Sequence, residues 1–139
     1  MLKKTLTVRV GKRVHVLPIR DILYMEKRMR KVCVHTTEGD YLYYARFDEV
    51  VKNLDVRFVW FHRSYILNMD RIRSIGDAAV IMDDGSELFF SEQLLLRLKR
   101  HYTGFEEWKQ KWIAERNREN GRHHRTTDWK SGAAGLDWA

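Results

Sequence analysis

The chain has 139 residues, 44% of them hydrophobic, which is enough for one domain with a core and an appendage. Lysine and arginine number 26 against 19 acidic residues, and a basic balance favours an acidic partner such as nucleic acid or an anionic membrane surface. No apolar run approaches the roughly 18 residues of a membrane span. The one cysteine excludes an internal disulfide and fits a reducing compartment, so we expect a cytoplasmic protein.

The chain up to about residue 45 predicts short strands. "TLTVRV" alternates, turns at Gly11 and continues into "VHVLPI", where Pro18 should end the strand. "DILYMEK", "KVCVHTT" and "DYLYYA" follow as further strands. Cys33 lies within an alternating run, which favours a packed thiol over a reactive one.

The middle of the chain changes from strand to helix and back. Phe47, Val50, Val51 and Leu54 recur at helical spacing, so roughly residues 46–54 form an amphipathic helix. "IRSIG", "AAVIMDD" and "SELFFS" predict strands again, and Ser91 can cap a helix that begins at the next residue. Short hairpins rather than crossovers join these elements, so the fold class is mostly β.

The C-terminal part differs in composition. Phe105, Trp108, Trp112 and Ile113 fall on one face of a further helix, predicted over 104–118, which is added to a body of residues 1–103. This face packs on the chain's own body, or forms a dimer, or binds a partner protein. Residues 119–139 are polar and contain glycine, so we expect a disordered tail.

Known catalytic motifs are absent from the sequence. It contains no glycine-rich phosphate loop, no His-Glu-x-x-His, no G-x-S-x-G and no Cys-x-x-Cys, so we expect a protein that is not an enzyme and needs no cofactor. His123 and His124 lack acidic or thiol ligands nearby and are better explained as a solvated tail, so no metal site is predicted.

Two polar interruptions remain as candidate sites. The run Lys27-Arg28-Met29-Arg30-Lys31 joins two strands, and it is either a solvated loop or a loop that contacts phosphates and base edges. The stretch "VWFHRSYILNMDRI" at 59–72 places His62-Arg63-Ser64 after an apolar strand. His62 and Asn68 are best explained as polar groups satisfied within a tight turn. A turn does not need the long charged side chain of Arg63.

"VWFHRSYILNMDRI" closely resembles the signature of the LytTR DNA-binding domain, aromatic-x-x-His-[Arg/Lys]-Ser-Tyr-apolar-apolar-Asn-x-x-x-Ile. "LPIRDILYMEKRMRKVCVHTTEGDYLYYARFDEVV" and "IRSIGDAAVIMDDGSELFFSEQLLLRLKR" are similar to the halves on either side, so the resemblance covers about residues 3–101. It implies about ten short strands and two short helices, to which this chain adds the C-terminal helix. It also implies a bacterial reader of direct repeats that inserts loops into successive major grooves and bends the duplex.

The resemblance also implies roles for individual residues. The base contacts would come from Arg30, Arg63 and Gln93. The phosphate contacts would come from Lys27, Arg28, Lys31, Ser64 and Arg97. The residues that shape the motif would be His62, Tyr65 and Asn68. Gln93 is equally well explained as an ordinary residue of a first helical turn, and Arg97 as a residue that faces solvent.

The hypothesis is therefore a transcriptional regulator that binds double-stranded promoter DNA, as a homodimer on a repeated site. Many family members carry a receiver domain in front, and we expect this chain to lack that phosphorylation switch. The alternative is a protein-interaction module, an antagonist that captures a related regulator through residues 104–118. The sequence does not specify the target site, the direction of regulation or the signal.

Overall fold

The structure, a computed structural model, describes residues 2–118 and 135–136. The predicted disordered tail, including His123 and His124, therefore lies outside the described residues, apart from Gly135–Leu136. Those two residues form a short strand that pairs in parallel with Val59 and Trp60.

Eleven strands and two helices make up the described residues. The strands are β1 (Thr5–Val10), β2 (Arg13–Pro18), β3 (Ile22–Arg28), β4 (Lys31–Thr36), β5 (Gly39–Tyr44), β6 (Phe58–His62), β7 (Tyr65–Asn68), β8 (Ile72–Ile75), β9 (Ala79–Met82), β10 (Glu87–Phe89) and β11 (Gly135–Leu136). The helices are α1 (Phe47–Val50), which continues as a 3-10 turn over Val51–Asn53, and α2 (Glu92–Arg118). The prediction of a mostly β fold with about ten short strands is confirmed.

The largest sheet has six strands in the order β11-β6-β7-β3-β4-β5. Both of its faces are covered, and this explains why its strands are apolar at successive positions rather than at alternate ones. In β6, Phe58 packs into one apolar cluster, whereas Val59 and Phe61 pack into the other. The hairpin of β1 and β2 and the helix α1 cover the first face, and the sheet β10-β9-β8 with α2 covers the second.

Asn68 ends β7 in the interior of the protein. The residue has no exposed surface, and its Nδ2 donates to the carbonyl of Ile22 at 2.8 Å. Its Oδ1 accepts from the backbone N–H of Asp70 at 3.0 Å and caps the 3-10 turn Met69–Arg71. The amide thus joins β7 to the start of β3 and leaves neither of its polar atoms without a partner.

The C-terminal helix differs from the prediction. The sequence predicts a separate helix from residue 104, but α2 runs without a break from Glu92 to Arg118. A glycine inside a helix costs only about 1 kcal/mol relative to alanine. Burial of His101 and Phe105 on either side of Gly104 outweighs that cost, so the helix continues through it.

Candidate nucleic-acid interface

Two turns that are far apart in the sequence lie close together at one end of the six-stranded sheet. One turn joins β3 to β4 and carries Arg30, and the other joins β6 to β7 and carries Arg63. β3 pairs with β7 in antiparallel register, and the backbone N–H of Lys27 donates to the carbonyl of Ser64 at 2.9 Å. The pairing therefore fixes both arginines on one edge of the molecule.

The β3–β4 turn is tight and fully exposed. Arg28 faces Lys31 in the strand register, so the turn has two residues, and the first of them, Met29, has a φ of 58° and is 92% exposed. Arg28 binds Glu26 at 3.0 Å, and the Lys31 ammonium lies 4.7 Å from the ring centre of Tyr44. Side-chain contacts therefore hold Arg28 and Lys31, which flank the turn, whereas Arg30 is exposed to solvent.

The β6–β7 turn is organised by His62. Its Nδ1 accepts from the backbone N–H of Ser64 at 3.0 Å, and its ring lies 5.5 Å from the ring of Tyr65. Arg63, between them, is exposed. Within residues 2–118, neither Arg30 nor Arg63 has an ion-pair or hydrogen-bond partner for its guanidinium, so both are available to an anionic ligand.

Phe90 brings the start of α2 to the same edge. Its ring lies 4.7 Å from Phe61, 5.5 Å from His62 and 5.2 Å from Tyr65, measured between ring centres. The next residue, Ser91, caps α2 by accepting from the N–H of Leu94 at 3.2 Å.

Two side chains with predicted DNA contacts lie in the first turns of α2. Gln93 is exposed in the first turn of α2, and Arg97, one turn later, is half-buried. The structure therefore places Gln93 three residues after the aromatic group that shapes the Arg63 turn. All three predicted base-contact positions lie around one end of the sheet.

Glu26 is an organising residue that the sequence analysis missed. It accepts from Arg28 at 3.0 Å and lies 3.1 Å from His35 Nε2, and its carboxylate adds to the effect of burial in raising the pKa of Tyr65. A single acidic residue in a strand gives no signal of these contacts, because they join β3, β4 and β7.

A concave pocket of about 530 Å³ lies beside the β3–β4 turn. It runs from that turn to the beginning of α1, and Arg46 adds a cation that the sequence analysis also missed. The lining residues are Lys27, Met29, Arg30, Tyr44, Ala45, Arg46, Phe47, Asp48 and Trp60. Arg46 Nη2 lies 3.1 Å from Asp48 Oδ2, so the pocket pairs this cation with a carboxylate and adds little net positive charge to that of the turn.

The predicted interaction helix packs mainly on its own body. Phe105 has no exposed surface and Trp108 is 8% exposed, and both belong to the apolar cluster between the central sheet and α2. Trp112 is partly buried against the same cluster, whereas Ile113 is 43% exposed. Only the outer end of the predicted aromatic face is thus open to another molecule.

We expect the unfolding free energy to depend on the protonation of His62. Burial, and then the neighbouring Arg63 cation, lower the pKa of His62 below its ordinary value. The folded state therefore favours the neutral ring, whose Nδ1 accepts from Ser64. This contribution is complete above the unfolded pKa of about 6.5 and is lost as the pH falls through the lower folded value.

Urea unfolding of the parent protein and of His62→Gln, from about pH 7.5 to about pH 5, measures this contribution. The parent protein should lose stability relative to the variant as the pH falls. Parallel pH profiles for the two proteins would show that protonation of His62 is not linked to folding.

Comparisons with known proteins identify the family and a similar fold. The family model described as LytTr DNA-binding domain matches residues 12–103. The LytTr DNA-binding domain of a Bacillus cereus protein, described as a methyl-accepting/DNA response regulator, has a similar structure with a TM-score of 0.62. The match has 21% sequence identity and covers 71% of this chain and 96% of that chain. A search of the curated proteins finds no match.

Among the described residues, no helix is long and apolar enough to span a bilayer. The family model covers well over half of the chain and includes both turns and the start of α2. The overall fold is similar to that of the Bacillus cereus domain. The chain therefore belongs to the family of LytTr DNA-binding domains.

Proposed function

We propose that this chain is a sequence-specific transcriptional regulator that reads double-stranded promoter DNA through the β3–β4 turn, the β6–β7 turn and the start of α2. The observation that carries the proposal is the convergence of Arg30, Arg63 and Gln93 at one end of the sheet. An arginine fork matches the O6 and N7 edge of guanine, and a glutamine amide matches adenine. The major groove is about 12 Å wide and admits such turns.

Phosphate contacts would supply most of the affinity. Lys27 and Arg28 are exposed beside Arg30, and Ser64 is half-buried beside Arg63. Arg97 lies one helical turn after Gln93. Each phosphate neutralised should add about −0.9 to the slope of log K against log salt concentration. We propose binding as a homodimer on direct repeats, which would double this electrostatic contribution.

The alternative function, an antagonist that captures a related regulator through residues 104–118, has less support. Its predicted anchors Phe105 and Trp108 are already buried in the chain's own core. The remaining exposed surface on that face is the end that carries Trp112 and Ile113. A partner would therefore have to bind a small area or displace the helix from the body.

The test is a titration of the purified protein against promoter fragments, including its own upstream region, at two salt concentrations. We expect one fragment to bind far more tightly than bulk DNA. Replacement of Arg63 by alanine should weaken binding to that fragment by about 1–3 kcal/mol and leave binding to bulk DNA nearly unchanged. The reason is that Arg63 would contact a base edge rather than a phosphate.

Two outcomes would contradict the proposal. Equal, salt-sensitive binding to every fragment would leave only non-specific attraction to a basic surface. Unchanged affinity of Arg63→Ala for the preferred fragment would remove Arg63 from the contacts that read sequence.

A further inference from the structure

Cys33, His35 and Asp40 bring a thiol, an imidazole and a carboxylate to one face of the central sheet. Cys33 and His35 are two residues apart on β4, so their side chains point to the same face. His35 is paired with Asp40 of β5 in the strand register. The ligand atoms of the three residues all lie within 4.8 Å of one another.

We propose that these three side chains bind a divalent metal ion of borderline softness, and Zn²⁺ fits the donor set best. Thiolate sulfur, imidazole nitrogen and carboxylate oxygen are the ligands that Zn²⁺ takes in proteins, with bonds of about 2.0–2.3 Å. A tetrahedral site with three protein ligands leaves the fourth position to water. This inference goes beyond the proposed DNA binding and does not depend on it.

The geometry of His35 favours coordination through Nδ1. This atom lies 3.0 Å from Asp40 Oδ1, a separation that two ligands of one ion can share. The other nitrogen, Nε2, lies 3.1 Å from Glu26 Oε1, and the ring stacks on Tyr24 at 4.2 Å between ring centres. Glu26 would then hold the Nε2 proton and orient the ring, as carboxylates commonly do for metal-bound histidines.

The electrostatics of the cluster favour a bound cation. Asp40 and Glu26 place a carboxylate beside each ring nitrogen of His35, and either a second ring proton or a bound cation balances the second of these charges. An ion at Nδ1 would neutralise Asp40, while the Nε2 proton serves Glu26. Coordination of Cys33 as a thiolate releases its proton to solvent, so the metal forms its sulfur bond without a redox partner.

Access to the site is from the side of Asp40. Cys33 is 2% exposed and the His35 side chain 13%, whereas the Asp40 side chain is 60% exposed. The largest separation of 4.8 Å exceeds the spacing of about 3.3–3.8 Å between ligands of tetrahedral Zn²⁺. Because Asp40 is exposed, its side chain can move toward the ion, and the remaining contraction falls on the side chains of Cys33 and His35.

Cobalt titration of the full chain tests the proposal with a signal that only this site can give. A thiolate bound to Co²⁺ produces a charge-transfer absorption in the near ultraviolet, and Cys33 is the one cysteine of the sequence. We expect the band to grow to one equivalent of Co²⁺ and to be abolished by added Zn²⁺. His35→Gln and Asp40→Asn should each weaken Co²⁺ binding at least about tenfold, and so should Glu26→Gln.

Matched variants separate this site from other histidines. His15→Gln on β2 and the tail variant His123→Gln/His124→Gln should both keep the band and the affinity. Circular dichroism of every variant reports folding, and Asp40→Asn changes an exposed residue, so it keeps the test decisive if His35→Gln unfolds. No band at millimolar Co²⁺ would overturn the proposal. A band of unchanged affinity in Asp40→Asn and His35→Gln would also overturn it.

Discussion

The double variant Arg30→Ala/Arg63→Ala is expected to lose about 2–6 kcal/mol of its affinity for the preferred promoter fragment, because each base-reading arginine contributes about 1–3 kcal/mol. Binding to bulk DNA should fall much less, since the exposed Lys27 and Arg28 beside the turn remain. The protein would therefore become a weak, non-specific binder. Titrations of the parent protein, both single variants and the double variant against both DNAs measure the loss.

The structure also predicts how the two losses combine. The Lys27–Ser64 backbone hydrogen bond couples the two turns, so they form one rigid edge rather than two independent loops. If both arginines dock on the same duplex face, loss of either one loosens the contact of the other. We therefore expect the double variant to lose less than the sum of the two single losses, by a coupling energy of about 0.5 kcal/mol or more.

Arg20→Ala is the matched control. Arg20 is also exposed, with an 80% exposed side chain whose Nε lies 3.9 Å from Asp21 Oδ1, but it lies before the start of β3, at the opposite end of that strand from the contact turn. The substitution removes the same charge and should leave the preference between the two DNAs unchanged. A larger loss of specificity in Arg20→Ala than in the double variant would place the DNA on the other end of the sheet.

Most of the fold follows from local sequence signals. "TLTVRV" coincides with β1, because its alternation matches a strand that buries one face on the sheet. The helix predicted at about residues 46–54 is present as α1 and its 3-10 extension, because its apolar residues recur at helical spacing. The continuation of α2 through Gly104 was not predictable from helix propensity alone, because burial of Phe105 in the core stabilises the longer helix.

The candidate site was predictable only in part. The sequence indicated Arg30 and Arg63 as unusual polar interruptions, but it did not indicate that they share an edge. That depends on the register of β3 with β7, which no local pattern specifies. The cluster of Cys33, His35 and Asp40 was missed for the same reason, since its members meet only through the pairing of β4 with β5.

The buried ion pair of Asp55 and Arg57 was also not predictable from the local sequence. Arg57 Nη2 lies 2.7 Å from Asp55 Oδ2 and also donates to the carbonyl of Lys3 at 2.6 Å, which ties the N-terminus to the start of β6. Two charged residues separated by one position predict a solvated turn. The backbone N–H of Lys3 also donates to Asp55 Oδ2 at 2.7 Å, and this return of the N-terminus to β6 is a tertiary event that the local sequence does not indicate.

Phe105→Ala is expected to lower the free energy of unfolding by about 3–5 kcal/mol, the usual cost of removing a buried phenylalanine side chain. Phe105 has no exposed surface, and its ring stacks on Trp108 at 6.1 Å between ring centres. A domain of this size is stable by only about 5–15 kcal/mol, so the variant should fold but unfold at much lower urea concentration. Urea unfolding followed by tryptophan fluorescence measures the change.

Ile113→Ala is the control on the same helix. It is 43% exposed, and surface substitutions usually change stability by about 0.5 kcal/mol or less. Equal effects of the two substitutions, or a larger effect at Ile113, would mean that α2 does not pack on the body through Phe105.

The difference between the buried Phe105 and the exposed Ile113 decides which variant can test the antagonist hypothesis. Truncation after residue 103 would remove the buried Phe105 and Trp108, so the shortened chain would lose stability whatever its function. A partner that disappears on truncation would then report unfolding rather than a lost interface. Ile113→Asp alters the exposed end of the helix and spares the core. Retained promoter binding together with a lost protein partner in that variant would support an interaction surface at this end of α2.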